Sequence, residues 1–188
     1  RDLHSFPTRR SSDLDLVLAD DPRLTVHKID AKPKDNPVRV VVDSKCRTPI
    51  DARITNSDAK TIIAVANEYK DDLKQSEKYE TFKNRGVKFF FSGGERIDLV
   101  ALMSYLHEEG IDKLMLEGGS TLNFSMIKAG LIDEISICVA PMIVGGANAK
   151  TFFDGDGFDT MDEAIRLKLI DSYSLDKDFI LKYKVLKD

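Results

Sequence analysis

Metal-ligand and nucleophile chemistry has little to draw on in this chain, which holds 2 cysteines and 3 histidines. Cys46 and Cys138 lie far apart, form no CxxC pair and have no histidine at ligand spacing. Both therefore read as reduced thiols, with neither a disulfide framework nor a metal site expected. With His4 set aside in an atypical leader, His27 and His107 give a Ser-His-Asp triad little to build on. A basic surplus is also missing: 28 Lys and Arg stand against 32 Asp and Glu, a net charge of -4. Nonspecific nucleic-acid binding needs a basic stripe, so no nucleic-acid partner is expected, while the balance leaves room for a local cationic pocket. No apolar run approaches the length of a membrane span, and residues from 15 onward show no signal-peptide pattern. The expectation is a cytoplasmic protein with no membrane partner. Internal repeats and low-complexity tracts are absent too.

What is present is an alternation of strands and helices. With 42% hydrophobic and 32% charged residues, residues 15–188 read as one α/β domain with a single core. Strands are expected at 38–42, 61–66 and 87–91, each followed by a polar or helical stretch. A solvent-facing helix is expected over 67–84. Another is expected over 98–109, with Leu99, Leu102, Met103 and Leu106 on its buried face. A short strand at 114–116, a helix to Lys128 and a strand at 134–142 follow. The closing strands, 166–170 and 179–185, have no helix between them. The pattern implies a mostly parallel central sheet with helices on both faces and antiparallel C-terminal edge strands. The glycine-rich loop over 145–158 is expected to be mobile.

The most informative stretch is LEGGSTLN, residues 116–123. An apolar run ends at Glu117, Gly118 and Gly119 allow close backbone approach, and Ser120 or Thr121 can cap the helix that follows. The first turn of such a helix offers free N–H groups and a positive dipole end to an anion. Taken alone, the segment reads first as a plain strand-turn-helix, and the surrounding segments reverse that ranking. Two further elements stand at loop positions where open α/β sheets bind ligands. One is Asp43-Ser44-Lys45-Cys46-Arg47, whose cations and hydroxyl suit a phosphate, with a turn of solvated charges as the even alternative. The other is DDPRLTVH at 20–27, where paired aspartates before a proline are common turn chemistry.

Four segments in fixed order, ADDPRLTVHK at 19–28, PVRVVVDSKCRTP at 37–49, LEGGSTLN and GLIDEISICVAPMIVGG at 130–146, resemble the reductases of riboflavin biosynthesis. The resemblance extends from about Val17 to the C-terminus. It implies a dihydrofolate-reductase-like fold and hydride transfer from NADPH to a small phosphorylated pyrimidine, the sugar being reduced at C1′ of its open imine form. It also implies a homodimer. Carried over residue by residue, it places Asp20, Asp43, Ser44, Lys45 and Cys46 on the cofactor, together with Gly118, Gly119, Ser120, Thr121 and Leu122 at its pyrophosphate. Leu24, His27 and Glu117 fall on the substrate. His27 stands where relatives usually carry arginine, making a phosphate contact there pH-dependent. Leu16 replaces a family threonine. No general acid is assigned, Glu117 being the one candidate. Other dihydrofolate-reductase-like enzymes acting on pterins, or an inactive nucleotide-binding module, share parts of this pattern.

Residues 1–14, RDLHSFPTRRSSDL, lie outside the resemblance and back-translate codon by codon to a common sequencing-adapter oligonucleotide. We read them as an assembly artefact, since no amphipathic period supports a transit peptide. Relatives carry a strand and helix ahead of the DDP segment. Most of that is absent here, so an N-terminally truncated reductase with a compromised active site is expected.

Overall fold

The computed structural model describes residues 9–13, 17, 18, 20–26, 36–146, 149 and 151–187. His27 lies outside the described residues. The chain forms two compact units, residues 1–119 and residues 120–188.

The first unit is built on a five-stranded parallel sheet. Its strands are β1 (Arg9–Asp13), β2 (Arg39–Val42), β3 (Thr61–Ala66), β4 (Lys88–Ser92) and β5 (Leu114–Leu116), in spatial order β4-β3-β2-β1-β5. β3 is buried along its whole length, as a strand covered on both faces must be. Alternation sends Ile63 and Val65 into one core with Val41, Ile54, Leu73 and Phe82. Ile62 and Ala64 enter the other, with Val40, Leu102 and Leu106. β1 occupies a central place, with Ser11 opposite Val40 on one side and Leu116 on the other. That strand lies within the stretch expected to be foreign, and RRSSD carries none of the β-branched or alternating character of an inner strand.

The expected single helix over 67–84 is divided. A 3-10 turn at Asn67–Tyr69 leads into α1 (Lys70–Lys74), and α2 (Glu77–Asn84) starts afresh. Ser76 causes the break: its extended backbone ends one helix, and its Oγ accepts from Tyr79 N–H at 3.2 Å to cap the next. α3 (Leu99–Glu108) is capped likewise, Asp98 accepting from Ala101 N–H at 3.0 Å. Its buried residues are Leu102 and Leu106, with Leu99 and Met103 packed beside them.

The second unit begins with α4 (Ser120–Lys128), which buries Leu122, Met126 and Ile127. β6 (Glu134–Val139), β7 (Leu167–Leu175) and β8 (Asp178–Val185) form an antiparallel sheet in the order β6-β8-β7. The expected antiparallel closing strands thus join β6 in a sheet of their own. A register irregularity between Leu169 and Asp171 bends β7. Among the described residues, no helix is long and apolar enough to cross a membrane.

Candidate functional site

At the carboxyl end of β2 the chain turns through a tight corner. Asp43 N–H still pairs with Ala64 C=O at 3.0 Å, and Asp43 C=O accepts from Cys46 N–H at 3.0 Å. Ser44 C=O accepts from Ala66 N–H at 3.0 Å, fastening the corner to the end of β3. The Asp43 side chain is 1% exposed and faces inward. Its Oδ2 accepts from both Thr48 N–H and Thr48 Oγ1, each at 2.7 Å, while its Oδ1 is buried without a hydrogen-bond partner. Cys46 sits at φ 51, a region that L residues other than Asn and Asp seldom occupy. Lys78 donates to its carbonyl at 2.5 Å.

Ser44 is half-buried, whereas Lys45 and Arg47 are exposed. The Lys45 ammonium stands 5.5 Å from the Tyr69 ring centroid. Two cations are therefore presented outward beside half-buried Ser44, while Asp43 and Cys46 hold the turn from inside. Burial pushes the Cys46 thiol up to about 12, with the Asp43 charge adding to the effect and Lys78 opposing it. This cysteine stays protonated and is no nucleophile.

The DDPRL segment is clamped from two directions. Asp21, at φ 40, accepts from Arg53 N–H at 2.8 Å through Oδ1, which is the turn chemistry its sequence suggests. Arg39, fully buried in the first position of β2, donates to the carbonyls of Arg23 at 3.4 Å and Arg53 at 3.3 Å. The same guanidinium reaches Asn56 Oδ1 at 2.9 Å, Asn56 O at 2.6 Å and Thr61 Oγ1 at 3.0 Å. Burial lowers it to about 10 while Asp58 opposes the shift, so it remains a cation at neutral pH. Leu24, at φ 46 and 5% exposed, belongs to the core with Val17 and Val41. Asp20 is exposed. Sequence reasoning missed Arg39, although an arginine inside the β-branched run PVRVVV was the available signal.

Exposed Glu117, with half-buried Gly118 and Gly119, closes the first unit after β5, and Ser120 and Thr121 open α4 in the second. Leu122 points into the core, leaving only its backbone for a ligand. Ser120 Oγ donates to Asp154 Oδ2 at 2.5 Å, and Thr151 Oγ1 donates to Asp154 Oδ1 at 2.6 Å. Those two hydrogen bonds hold the Asp154 carboxyl below its ordinary range. Asp154 N–H returns to Ser120 C=O at 3.1 Å, and Asn123 Nδ2 donates to Phe152 C=O at 3.0 Å. Gly155, at φ 148, lies against Phe124, where a Cβ would come within 2.8 Å of the ring. Residues 151–158 are thus tied to the first turn of α4 rather than free. The hydroxyl three residues before an aspartate was the signal for this contact.

A cavity of about 220 Å³ lined by Asn56, Lys60, Thr61, Arg85 and Val87 lies where β3 and β4 begin. That is the amino end of the strands, opposite the end where open α/β sheets bind ligands.

The RibD C-terminal domain family matches residues 10–181. The 2,5-diamino-6-ribosylamino-4(3H)-pyrimidinone 5′-phosphate reductase of Methanothermobacter thermautotrophicus is 51% identical over 172 residues, covering 92% of this chain and 77% of that protein. The protein of the same name from Archaeoglobus fulgidus is 43% identical over 76% of this chain and 65% of its own length. Among solved structures, RibD of Acinetobacter baumannii superposes with a TM-score of 0.76 at 25% identity, over 95% of this chain and 47% of that one. The chain therefore spans about half of that longer relative. With the strand-end corner, the clamped DDP segment and the glycine-led α4 in the order of the resemblance, the chain belongs to the RibD C-terminal domain family.

Proposed function

We propose that this chain reduces the ribosylamino group of 2,5-diamino-6-ribosylamino-4(3H)-pyrimidinone 5′-phosphate to the ribitylamino group, using NADPH, as a step of riboflavin biosynthesis. The observation that carries the reading is the 51% identity, over 92% of the chain, to an archaeal reductase bearing that substrate's name. The residues present fit a dinucleotide phosphate. Lys45 and Arg47 are exposed beside Ser44 at a strand end, where charge-assisted bonds to a 2′-phosphate are available. α4 opens after two glycines on Ser120 and Thr121, whose neighbouring N–H groups suit a pyrophosphate.

In this reading Asp20, Ser44, Lys45, Gly118, Gly119, Ser120 and Thr121 meet the cofactor directly. Asp43, Cys46 and Leu122 serve it through backbone and turn shape, since their side chains are buried. Leu24, His27 and Glu117 line the substrate. When bound, the cofactor would supply the hydride that reduces C1′ of the open imine, with water as the source of the proton on nitrogen. The chain's own work is to fix both partners and keep water out. We place the enzyme in the cytoplasm as a homodimer.

The test is oxidation of NADPH by the purified chain with the ribosylaminopyrimidine phosphate, followed by product mass. A product heavier by two hydrogens, formed only with that substrate, is expected. Turnover of a pterin instead, or tight NADPH binding with no turnover of any pyrimidine once the N-terminal strand and helix of a relative are restored, would sink the proposal.

A further inference from the structure

The corner after β2 carries more cost than a strand needs in order to end. Asp43 buries a carboxylate with one oxygen unpartnered, Cys46 holds a left-handed backbone, and Lys78 is drawn across to Cys46 C=O. A solvated turn would avoid all three. Such features persist where the surroundings over-determine them, and they gather at binding sites. Here the over-determination comes from one pair: Asp43 Oδ2 takes both donors of Thr48, so the loop from 43 to 48 is closed on itself. Thr48 is fully buried, and neither side chain is available to a ligand. What the pair controls is the direction of the residues between them, Ser44, Lys45 and Arg47.

We infer that Asp43 and Thr48 are positioning residues that set the cationic corner and thereby the discrimination between cofactors with and without a 2′-phosphate. The inference rests on the proposed NADPH reading and names the residues behind its specificity. A cation on a loosened corner still attracts a phosphate, but it no longer delivers oriented hydrogen bonds. Loss of the pair therefore weakens the phosphorylated cofactor selectively. The adenosine and nicotinamide contacts, common to both cofactors, are left alone.

The experiment is calorimetric titration of the purified chain with NADP+ and with NAD+, comparing wild type with Thr48→Val and Thr48→Ser. Valine preserves the volume and the Thr48 N–H but removes the hydroxyl donor, while serine keeps the donor. Wild type is expected to favour NADP+. Thr48→Val should lose about fivefold to tenfold of that preference, the size of one ordinary hydrogen bond, with NAD+ affinity unchanged. Thr48→Ser should retain it. Asp43→Asn, which keeps the shape and removes the charge, should fall between them. A Thr48→Val chain that keeps the full preference overturns the inference while leaving the NADPH reading intact. Equal loss for both cofactors would make the pair merely structural and also overturn it. A wild type with no preference overturns the NADPH reading and, with it, the inference.

Discussion

At the residue scale the chain sorts its charged groups by direction. Lys45 and Arg47 are exposed, where an incoming phosphate can reach them. Lys45→Ala should erase part of an NADPH preference, with a penalty on the order of 1–3 kcal/mol for one charge-assisted contact. An unchanged ratio of NADPH to NADH affinity would place the pocket elsewhere. Arg39 points the other way. It is fully buried and bonded to Thr61, Asn56 and the carbonyls of Arg23 and Arg53. Arg39→Met leaves those carbonyls and Asn56 without their donor. Each buried acceptor left unsatisfied costs about 1–3 kcal/mol, so the first unit should lose at least that much stability. A denaturation midpoint within error of wild type would show that water or a neighbour replaces the guanidinium. Residue types were legible in DSKCR, but their directions were not. Nothing in the sequence says that Asp43 turns inward to Thr48 while Lys45 turns out, because that choice is made by the packing behind the strand end.

At the element scale, periodicity located β3, β4, α3 and α4 to within a residue or so, because each carries apolar positions at one consistent spacing. It failed where a polar surface hid a boundary. The Lys- and Glu-rich stretch from 67 to 84 reads as one helix until Ser76 is recognised as a cap. Ser76→Ala should cost about 0.5–2 kcal/mol, the usual loss for an N-cap hydroxyl. Thermal melts that match wild type would show that α2 does not depend on the Tyr79 N–H bond.

The strap over 151–158 was hidden for a similar reason, since its contacts with α4 are long-range hydrogen bonds between polar side chains. Asp154 is its titratable pin, and its carboxyl is lowered by bonds from Ser120 and Thr151. A depressed carboxyl contributes attachment that is present above its unfolded value and lost as pH falls through the folded one. The strap should therefore stay fastened at neutral pH and loosen under acid. Amide hydrogen exchange of residues 151–158 should quicken, after correction for intrinsic rates, as the pH drops below the usual aspartate range. Asp154→Asn should flatten that response. A wild-type profile independent of pH would show that the carboxylate does not hold the strap.

At the scale of the whole molecule, the parallel sheet of the first unit depends on a strand the sequence does not advertise. β1 sits between β2 and β5, pairing in parallel with both. RRSSD has neither alternation nor β-branched residues, so the pairing comes from the two neighbours and not from intrinsic preference. An open slot between β2 and β5 leaves rows of unpaired backbone groups, and any extended segment within reach lowers that cost by filling it. Ser11 is the most informative position, because it stands opposite Val40 in β2 and Leu116 in β5. Proline there removes one ladder donor and fixes φ near a value that inner strands avoid. The carbonyl left without its donor costs about 1–3 kcal/mol. For a chain of this size, each kcal/mol lowers the melting temperature by roughly 2–4 °C. Ser11→Pro should therefore melt several degrees below wild type, and it should speed amide exchange in β2 and β5 while leaving the antiparallel sheet β6-β8-β7 unaffected. An unchanged melt with undisturbed exchange in β2 and β5 would mean that residues 9–13 are bystanders and that β2 and β5 do not depend on them.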